Sequence, residues 1–342
     1  MSVDPDALKA LVAAAGLGAV GFTDPLDGGK NNRVYRVATT GGHVLLKSYF
    51  RHPDDPRDRL GTEFAFSRFA WDNGVRCIPR PIIADAGAGL GLFEYVSGRP
   101  LNPGGVTDLA VDQAIEFFRT LNRAKGHAGL LPKASESCFS LNDHFATVSR
   151  RVERLTTIPV GNVVDVAAAG FIETELVPTW DRVLAAASDT ALSLGKPLDA
   201  QNRCVSPSDF GYHNAILADD GQLRFIDFEY AGWDDPSKLI CDFFCQPARP
   251  APPHAFGRFA EAIAAEMPDA ALHVQRANLL LPVYRVKWVC IMLNDFQAVG
   301  GSRRAFSGTA AEQESRKANQ LSKARAALAA VNHSTVTTRK VA

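Results

Sequence analysis

The stretch 206–236 constrains the fold of this 342-residue chain more than any other. An Asp-Asp-Gly signal at 219–221, typical of a tight hairpin turn, separates the short apolar runs 215–217 and 223–226. Two short strands joined by such a turn pair side by side, so the pattern predicts a β-hairpin. The residues just outside its strands must then lie together at the open end. Similar hairpins also occur in proteins that catalyse nothing, so the flanking side chains decide the interpretation.

Two polar residues flank this predicted hairpin, since Asn214 precedes the first strand and Asp227 follows the second. A carboxylate and an amide oxygen at one end of a hairpin suit a hard cation such as Mg²⁺. Asp209, five residues before Asn214, adds a carboxylate that can face a hydroxyl nucleophile. Phosphoryl transfer from ATP requires this arrangement. We therefore predict an enzyme with Asp209 as the catalytic residue and with Asn214 and Asp227 as metal ligands.

The segment resembles the catalytic and metal-binding loops of the aminoglycoside phosphotransferase and choline kinase-like family. There an Asp is followed five residues later by an Asn, and then by an Ile-Asp-Phe-Glu or similar motif. The run Ile226-Asp227-Phe228-Glu229-Tyr230 resembles choline and ethanolamine kinases, whereas 231–236 and the later Asp242 are similar to bacterial aminoglycoside-type members. The resemblance implies an α+β, bilobal protein-kinase-like fold, with a small antiparallel-sheet lobe and a larger, mostly helical one. It also implies ATP as co-substrate and Mg²⁺ as cofactor.

The chain departs from the family pattern around Asp209. The family usually has His-Gly before the catalytic Asp, and often a His two residues after it. This chain has Pro207-Ser208 before Asp209 and Gly211 after it, with His213 next to Asn214. The proton-handling and metal groups are kept, so the departure bears on the packing of the loop and on the substrate.

A Gly-rich turn lies near the start of the chain. Gly28 and Gly29 are followed by Asn32 and by a Val-Tyr-Arg-Val strand. Glycines let backbone N–H groups approach phosphate oxygens without a Cβ in the way. By itself the turn is typical of an ordinary hairpin. The resemblance implies that Gly28, Gly29 and Asn32 belong to the ATP-binding loop.

Lys47 and Glu63 lie in the next two predicted elements, a strand at 43–49 and a helix at 60–73. Taken singly, a strand lysine is typical of a solvated surface. An early helix glutamate is typical of a favourable interaction with the helix N-terminus. The resemblance implies instead that Lys47 contacts the ATP phosphates and that Glu63 is the ion-pair partner that orients it.

The strand predicted at 89–96 is similar to the family's hinge, where backbone groups meet the adenine. We expect this contact with ATP at Glu94 and Val96, with the lobe boundary just after.

The predicted organisation is a nucleotide-binding lobe at 1–97, a catalytic and acceptor-binding lobe at 98–331 and a disordered tail at 332–342, which has no apolar pattern. Apolar spacing predicts helices at 109–122, 141–155, 174–194, 239–245, 256–267, 278–296 and 312–331.

The predicted late helix also carries candidates for acceptor binding. Trp288 and Asp295 are seven residues apart, which places them on one face of a continuous helix. Such a stripe is usually core packing. In choline kinase-like relatives the corresponding helix helps to line the acceptor pocket, and an aromatic ring beside a carboxylate suits a cationic amine.

Composition excludes several other classes of protein. Lys+Arg and Asp+Glu each number 37, so no bulk positive charge favours nucleic acid as a partner. The six cysteines include no Cys-x-x-Cys pair, which is typical of a reduced cytosolic protein. The N-terminus lacks a basic signal-peptide region, and no apolar run approaches membrane-spanning length. We predict a cytoplasmic enzyme whose partners are ATP and a small molecule, with no nucleic acid and no membrane.

Three functions remain open at this point. The first is an ATP-dependent kinase for a hydroxyl of an amino alcohol, an aminoglycoside or a sugar. The second is, more narrowly, a choline- or ethanolamine-type kinase. The third is a pseudokinase or nucleotide-binding module, for which the Pro207-Ser208 departure is the motive. The presence of all five of the polar residues Asp209, Asn214, Asp227, Lys47 and Glu63 argues against a dead site.

Overall fold

The computed structural model of the protein describes residues 3–26, 32–50, 57–102, 104–194, 196–297 and 310–338. The chain divides into two compact units. The first comprises Met1–Ser137, Arg203–Asp234 and Ala248–Glu266, and the second comprises Cys138–Asn202, Asp235–Pro247 and Met267–Ala342. Each unit combines segments that are distant in sequence. The lobe boundary after residue 97 stays a prediction.

The helices and strands of the two units are named in chain order. The helices are α1 (Pro5–Ala14), α2 (Arg59–Asp72), α3 (Asp108–Arg123), α4 (Leu141–Leu155), α5 (Val163–Phe171), α6 (Val177–Leu194), α7 (Pro236–Cys245), α8 (Phe256–Ala264), α9 (Ala270–Met292) and α10 (Ala310–Thr338). The strands are β1 (Val20–Leu26), β2 (Asn32–Thr39), β3 (Gly42–Tyr49), β4 (Pro81–Asp85), β5 (Leu90–Glu94), β6 (Gly98–Pro100), β7 (Cys204–Ser206), β8 (Ala215–Ala218), β9 (Leu223–Phe225) and β10 (Gly232–Asp234).

An antiparallel sheet with the strand order β1-β2-β3-β5-β4 forms part of the first unit. Pro81 opens β4 at the edge of this sheet, where its missing N–H removes no ladder hydrogen bond. Leu11 and Val12 of α1 are buried in one apolar cluster with Val37 of β2 and Leu46 of β3. The central strand β3 is therefore fixed by pairing on both sides and by packing, and it carries Lys47.

Helix α2 is defined by its two ends. Asp58 caps its start, with a carboxylate that accepts a hydrogen bond from Gly61 N at 2.9 Å. The chain leaves the helix through Gly74, whose φ of +90° favours glycine. Phe66 is fully buried on the inner face, and Glu63, one turn earlier, is 3% exposed. The helix thus holds a charged side chain inside the unit.

The hairpin predicted from the turn signal is present. In β8 and β9 Ala215 pairs with Phe225, and Gly221 in the turn has a φ of +78°. Strand β6 adds to the other side of β8, while β7 pairs with β10. The strands that enter and leave the catalytic stretch therefore lie side by side.

The second unit is helical, and its core is built around α9. Trp180 of α6, Val286 and Val289 of α9 and Leu328 of α10 are buried together in one cluster. Helix α9 contacts α4, α6, α7 and α10. The predicted bounds of α4 are confirmed, because Ser140 and Asp143 form a reciprocal capping box at its start.

The helix predicted at 174–194 begins earlier in the structure. Helix α5 starts after Asn162, whose side chain accepts a hydrogen bond from Asp165 N at 2.8 Å, and a π-helical turn at Ile172–Leu176 joins it to α6. The prediction missed α5 because its outer face is apolar: Val163 is 81% exposed and Val166 is 59% exposed. The polar stripe that marks an amphipathic helix is absent there.

Two predictions about the C-terminal part were also wrong. Helix α9 begins at Ala270 rather than at 278 and contains Pro282, and it ends at Met292. Helix α10 continues through Thr338 instead of ending at 331, so the start of the predicted disordered tail is helical. Extending a helix that already exists fixes one residue for each added hydrogen bond, which costs far less than starting one. The last four residues, 339–342, lie outside the described chain.

Candidate active site

The loop that carries Asp209 is anchored from both sides. Asn122 of α3 accepts a hydrogen bond from Val205 N at 2.8 Å and donates one to Val205 O at 3.0 Å, which fixes strand β7. The chain then turns through Ser208, whose φ is +65°. Ser208 N donates to Ser206 Oγ at 3.0 Å, and this bond stabilises the unusual conformation. A left-handed conformation at a serine costs about 1–2 kcal/mol, so the surrounding contacts must over-determine it.

The Asp209 carboxylate is held by polar contacts from its own loop. His213 Nε2 lies 3.1 Å from Oδ1 of Asp209. Asn214 Nδ2 donates to the backbone oxygen of Asp209 at 3.0 Å and lies 3.4 Å from Oδ2. The Asp209 side chain is 41% exposed, so a solute can reach it. Sequence reasoning named Asp209 and Asn214 but gave His213 no role.

Asp227 lies next to Asn214, as the hairpin predicts. Ile226 N donates to Asn214 O at 2.9 Å, which closes the open end of the hairpin. Asp227 has a φ of +70°, in a region that aspartate tolerates better than most residues. Its side chain is 37% exposed, and Oδ1 lies 3.0 Å from Lys47 Nζ. The turn thus directs a carboxylate toward strand β3.

Lys47 is the centre of a buried charge cluster. Its Nζ lies 2.7 Å from Glu63 Oε1, so the ion pair expected between these residues is present. Tyr49, two residues along β3 and hence on the same face, donates its hydroxyl to Glu63 Oε2 at 2.6 Å. Phe228 N donates to Glu63 Oε1 at 3.3 Å. One glutamate on α2 therefore connects β3 to the Asp-Phe-Glu segment.

The charges in this cluster set the protonation of its members. Burial lowers the pKa of Lys47, but the negative charges of Glu63 and Asp227 more than offset that effect and raise its pKa above the usual range. Burial and then the Glu63 charge raise the pKa of Tyr49 well above its usual value. Lys47 stays cationic and Tyr49 stays a hydrogen-bond donor at neutral pH.

Glu229 is a member of this site that sequence reasoning missed. It is 4% exposed, and its Oε2 lies 3.4 Å from Asn32 Nδ2 and 3.8 Å from Arg59 Nε. Asn32, expected at the ATP-binding loop, thus contacts the segment that follows Asp227. The available signal was the spacing: Glu229 follows Asp227 by two residues in the same motif.

The other residues expected at the ATP site are less enclosed. Gly28 and Gly29 lie outside the described residues. Glu94 ends β5, where its backbone N donates to Arg80 O at 2.8 Å and its carboxylate accepts from Arg80 N at 3.1 Å. Val96 is half-buried in the link between β5 and β6. Their contact with adenine stays a prediction.

The two acceptor candidates do not share one helix face. Helix α9 ends at Met292, so Asp295 lies in the 3₁₀ turn that follows. Trp288 Nε1 donates to Asp242 Oδ1 at 2.9 Å, whereas Asp295 Oδ2 lies 3.1 Å from Arg316 Nε. The expectation of a shared face was wrong because the helix ends too early. Asp295, paired with an arginine, has part of its charge neutralised.

The described residues contain neither a preformed metal cluster nor a membrane-spanning helix. In the described residues, no group of three or more His, Cys, Asp or Glu side chains is arranged to hold a metal ion. Across the same parts of the chain, no helix is long and apolar enough to span a membrane.

Comparisons with solved structures identify the fold. The chain is 19% identical to a choline/ethanolamine kinase family protein from Mesorhizobium loti, with a TM-score of 0.59 over 95% of this chain and 98% of that one. A spectinomycin phosphotransferase, solved with ADP and spectinomycin, is 11% identical, with a TM-score of 0.60 over 96% and 99% of the two chains. The choline kinase LicA from Streptococcus pneumoniae is 15% identical, with a TM-score of 0.58 over 95% and 98%. These likenesses confirm the predicted α+β, protein-kinase-like fold class.

Comparison of the sequence identifies the family. No curated protein gives a significant match. The model of the phosphotransferase enzyme family matches residues 23–273, which cover the Lys47–Glu63 pair, the Asp209 loop and the Asp227 turn. This match spans well over half of the chain, so the protein belongs to the phosphotransferase enzyme family.

Proposed function

We propose that this protein is an ATP-dependent phosphotransferase that moves the γ-phosphate to a hydroxyl group of a small molecule. The observation that carries the proposal is Lys47, a buried lysine held at 2.7 Å by Glu63 and at 3.0 Å by Asp227. A buried cation between two carboxylates from distant parts of the chain is costly to maintain for structure alone. Its use in aligning phosphate oxygens explains why the chain keeps it.

Asn214 and Asp227 fit a magnesium ion by the chemistry of their donors. Asp227 contributes a carboxylate that is 37% exposed. Asn214 engages Asp209 through its amide nitrogen, so its carbonyl oxygen is the atom suited to a cation. Mg²⁺ prefers oxygen ligands and keeps several waters beside one or two protein groups and the substrate phosphates. Bound there, it supplies charge neutralisation for the phosphate oxygens.

Asp209 is proposed as the group that accepts the hydroxyl proton. Its carboxylate is 41% exposed and is held by contacts within its own loop, so it can receive a hydrogen bond from an acceptor hydroxyl. A positioned carboxylate of this kind contributes on the order of 10²–10⁴-fold to the rate. The hydroxyl then attacks the γ-phosphorus, the bond to the ADP oxygen breaks, and the proton passes to Asp209 late in the transfer.

The Pro207-Ser208 departure is compatible with this mechanism. Ser208 stands where the family usually has glycine, and its φ of +65° is a conformation that glycine adopts without strain. The loop therefore keeps a glycine-like backbone at the cost of some strain. This observation favours an active site over a pseudokinase.

The acceptor is an amino alcohol, an aminoglycoside or a sugar in this proposal. Solved neighbours include choline kinases and a spectinomycin phosphotransferase, which supports a hydroxyl-bearing small molecule. A choline- or ethanolamine-type activity is the narrower alternative, favoured by Ile226–Tyr230 in the sequence.

The test measures ADP release over a panel of these acceptors, with ³¹P NMR of the product. We expect acceptor-dependent ADP release and a new phosphomonoester signal. With the active acceptor, Asp209→Asn should lower kcat about 10²–10⁴-fold while MgATP binding and melting temperature hold. Asp72→Asn, at the exposed end of α2, serves as the matched control. ATP binding without transfer to any acceptor would favour the pseudokinase alternative, and unchanged kcat in Asp209→Asn would remove Asp209 from the mechanism.

A further inference from the structure

His213 occupies an unusual position beside the proposed base. It belongs to the short 3₁₀ turn Tyr212–Asn214, which folds its ring back over the start of the loop. Its Nε2 lies 3.1 Å from Asp209 Oδ1, and its side chain is 20% exposed. The contact spans four residues and depends on the turn.

The hydrogen-bonding chemistry of the ring determines its tautomer. An ionised carboxylate only accepts hydrogen bonds, so the His213 nitrogen that faces Asp209 must donate. The other nitrogen, Nδ1, is buried and has no hydrogen-bond partner among the described residues. A proton on Nδ1 would be a buried donor without an acceptor, which is unfavourable. The ring therefore carries its proton on Nε2.

Asp209 consequently meets donors at both carboxylate oxygens. His213 Nε2 is directed at Oδ1 and Asn214 Nδ2 lies 3.4 Å from Oδ2. The His213 contact is the shorter of these two, and the Asp209 side chain is 41% exposed. The His213 contact therefore restrains the orientation of the carboxylate at Oδ1.

We propose that His213 is a positioning residue for Asp209, which it holds by an Nε2–H···Oδ1 hydrogen bond so that the carboxylate faces the acceptor hydroxyl. The inference rests on the proposed function of Asp209 as the proton acceptor. Misplacement of a reacting group by about 1 Å can cost 10²-fold in rate. Loss of the contact should therefore lower kcat roughly 10- to 100-fold and leave the KM for ATP unchanged.

Two variants separate the hydrogen bond from the packing of the ring. His213→Leu removes the hydrogen-bond donor but fills a similar volume with an apolar side chain, and kcat should fall. His213→Gln can place an amide N–H near the position of Nε2, and most of the lost kcat should return. If both variants are equally slow, or if His213→Leu has the wild-type kcat, the proposal is overturned.

A matched control is available on the surface. His254 Nε2 lies 3.0 Å from Asp108 Oδ1, and both side chains are well exposed. His254→Leu removes a histidine–aspartate contact of the same kind, and activity should stay unchanged. An equal loss of kcat in His254→Leu and His213→Leu would contradict a specific effect on Asp209.

Two further measurements test whether His213 acts through Asp209. His213→Leu in the Asp209→Asn background should cost almost nothing more in residual kcat, since the group it positions is already impaired. A full additional loss would show an independent role, such as acceptor binding, and would overturn the proposal.

Long-range ¹H–¹⁵N NMR of the imidazole should show the Nε2–H tautomer in the wild-type protein. An Nδ1–H tautomer would refute the proposed hydrogen bond. Since the NMR result needs no acceptor, failure of the proposed function and failure of this inference are distinguishable.

Discussion

Replacing Lys47 tests the buried charge cluster most directly. Lys47→Met keeps most of the apolar stem and removes the ammonium group, so Glu63 stays buried with a charge that has lost its cation. Removing one partner of a buried pair costs about 3–5 kcal/mol. Tyr49 and Phe228 N still donate to Glu63, so we expect the lower end, about 3 kcal/mol of lost unfolding free energy.

Glu63→Gln should cost less than Lys47→Met. Lys47 keeps its contact with Asp227 at 3.0 Å, and the glutamine oxygen can still accept from Tyr49. We expect a loss of about 2 kcal/mol, close to that of one hydrogen bond to a charged group. The double variant has no unpaired buried charge in this pair. Its loss should be about 3 kcal/mol rather than the additive 5, a coupling of about 2 kcal/mol.

Urea unfolding of the wild type and the three variants measures this coupling. The exposed pair Lys9–Asp6, at 3.2 Å, is the matched control, and its Lys9→Met and Asp6→Asn cycle should give a coupling of only about 0.2–0.5 kcal/mol. Additive losses for Lys47 and Glu63, with a coupling below about 0.5 kcal/mol, would refute the pairing as an energetic unit. The same cycle in kcat/KM should also be non-additive if the pair aligns ATP.

The remaining predictions concern the metal, the strained loop and the dependence of stability on pH. Asp227→Ala should keep its fold and lose Mg²⁺-dependent turnover, whereas Asn214→Ala should lose less turnover and regain part of it at higher Mg²⁺ concentration. A titration of activity against Mg²⁺ checks both variants. An unchanged metal requirement would contradict the ligand roles. Ser208→Gly should raise the unfolding free energy, measured by urea unfolding, by about 0.5–1 kcal/mol, because glycine adopts the φ of +65° without strain. A loss of stability would show that the contacts of the serine side chain outweigh the backbone strain. Burial lowers the pKa of His144, but hydrogen bonds with the Asp235 carboxylate and a cysteine raise it overall, from 6.5 to about 9. Protonated His144 therefore stabilises the folded state, and this stabilisation is complete below pH 6.5 and is lost as pH rises through about 9. The unfolding free energy of the wild type should fall over that range. In His144→Gln it should change less with pH.

Short-range chemistry in the sequence was sufficient for several elements. The Asp-Asp-Gly signal predicted the β8–β9 hairpin, because a two-strand turn depends on a few adjacent residues. The capping box at Ser140 and Asp143 delimits the start of α4 for the same reason. The predicted hairpin was enough to place Asn214 close to Asp227. The family and its fold class were predicted from motifs in the required order.

Only the tertiary structure decided how the charges of the site meet. Lys47 and Asp227 are 180 residues apart, and Glu229 meets Asn32 across 197 residues. No local pattern encodes such distances, because they depend on how β3, α2 and the Asp227 turn pack together. The positive φ of Ser208 goes against the local backbone preference of serine. The contact between His213 and Asp209 is likewise not specified by local preference. Local backbone preferences decide turns and helix ends, whereas packing decides which buried charges are paired and which strained conformations persist.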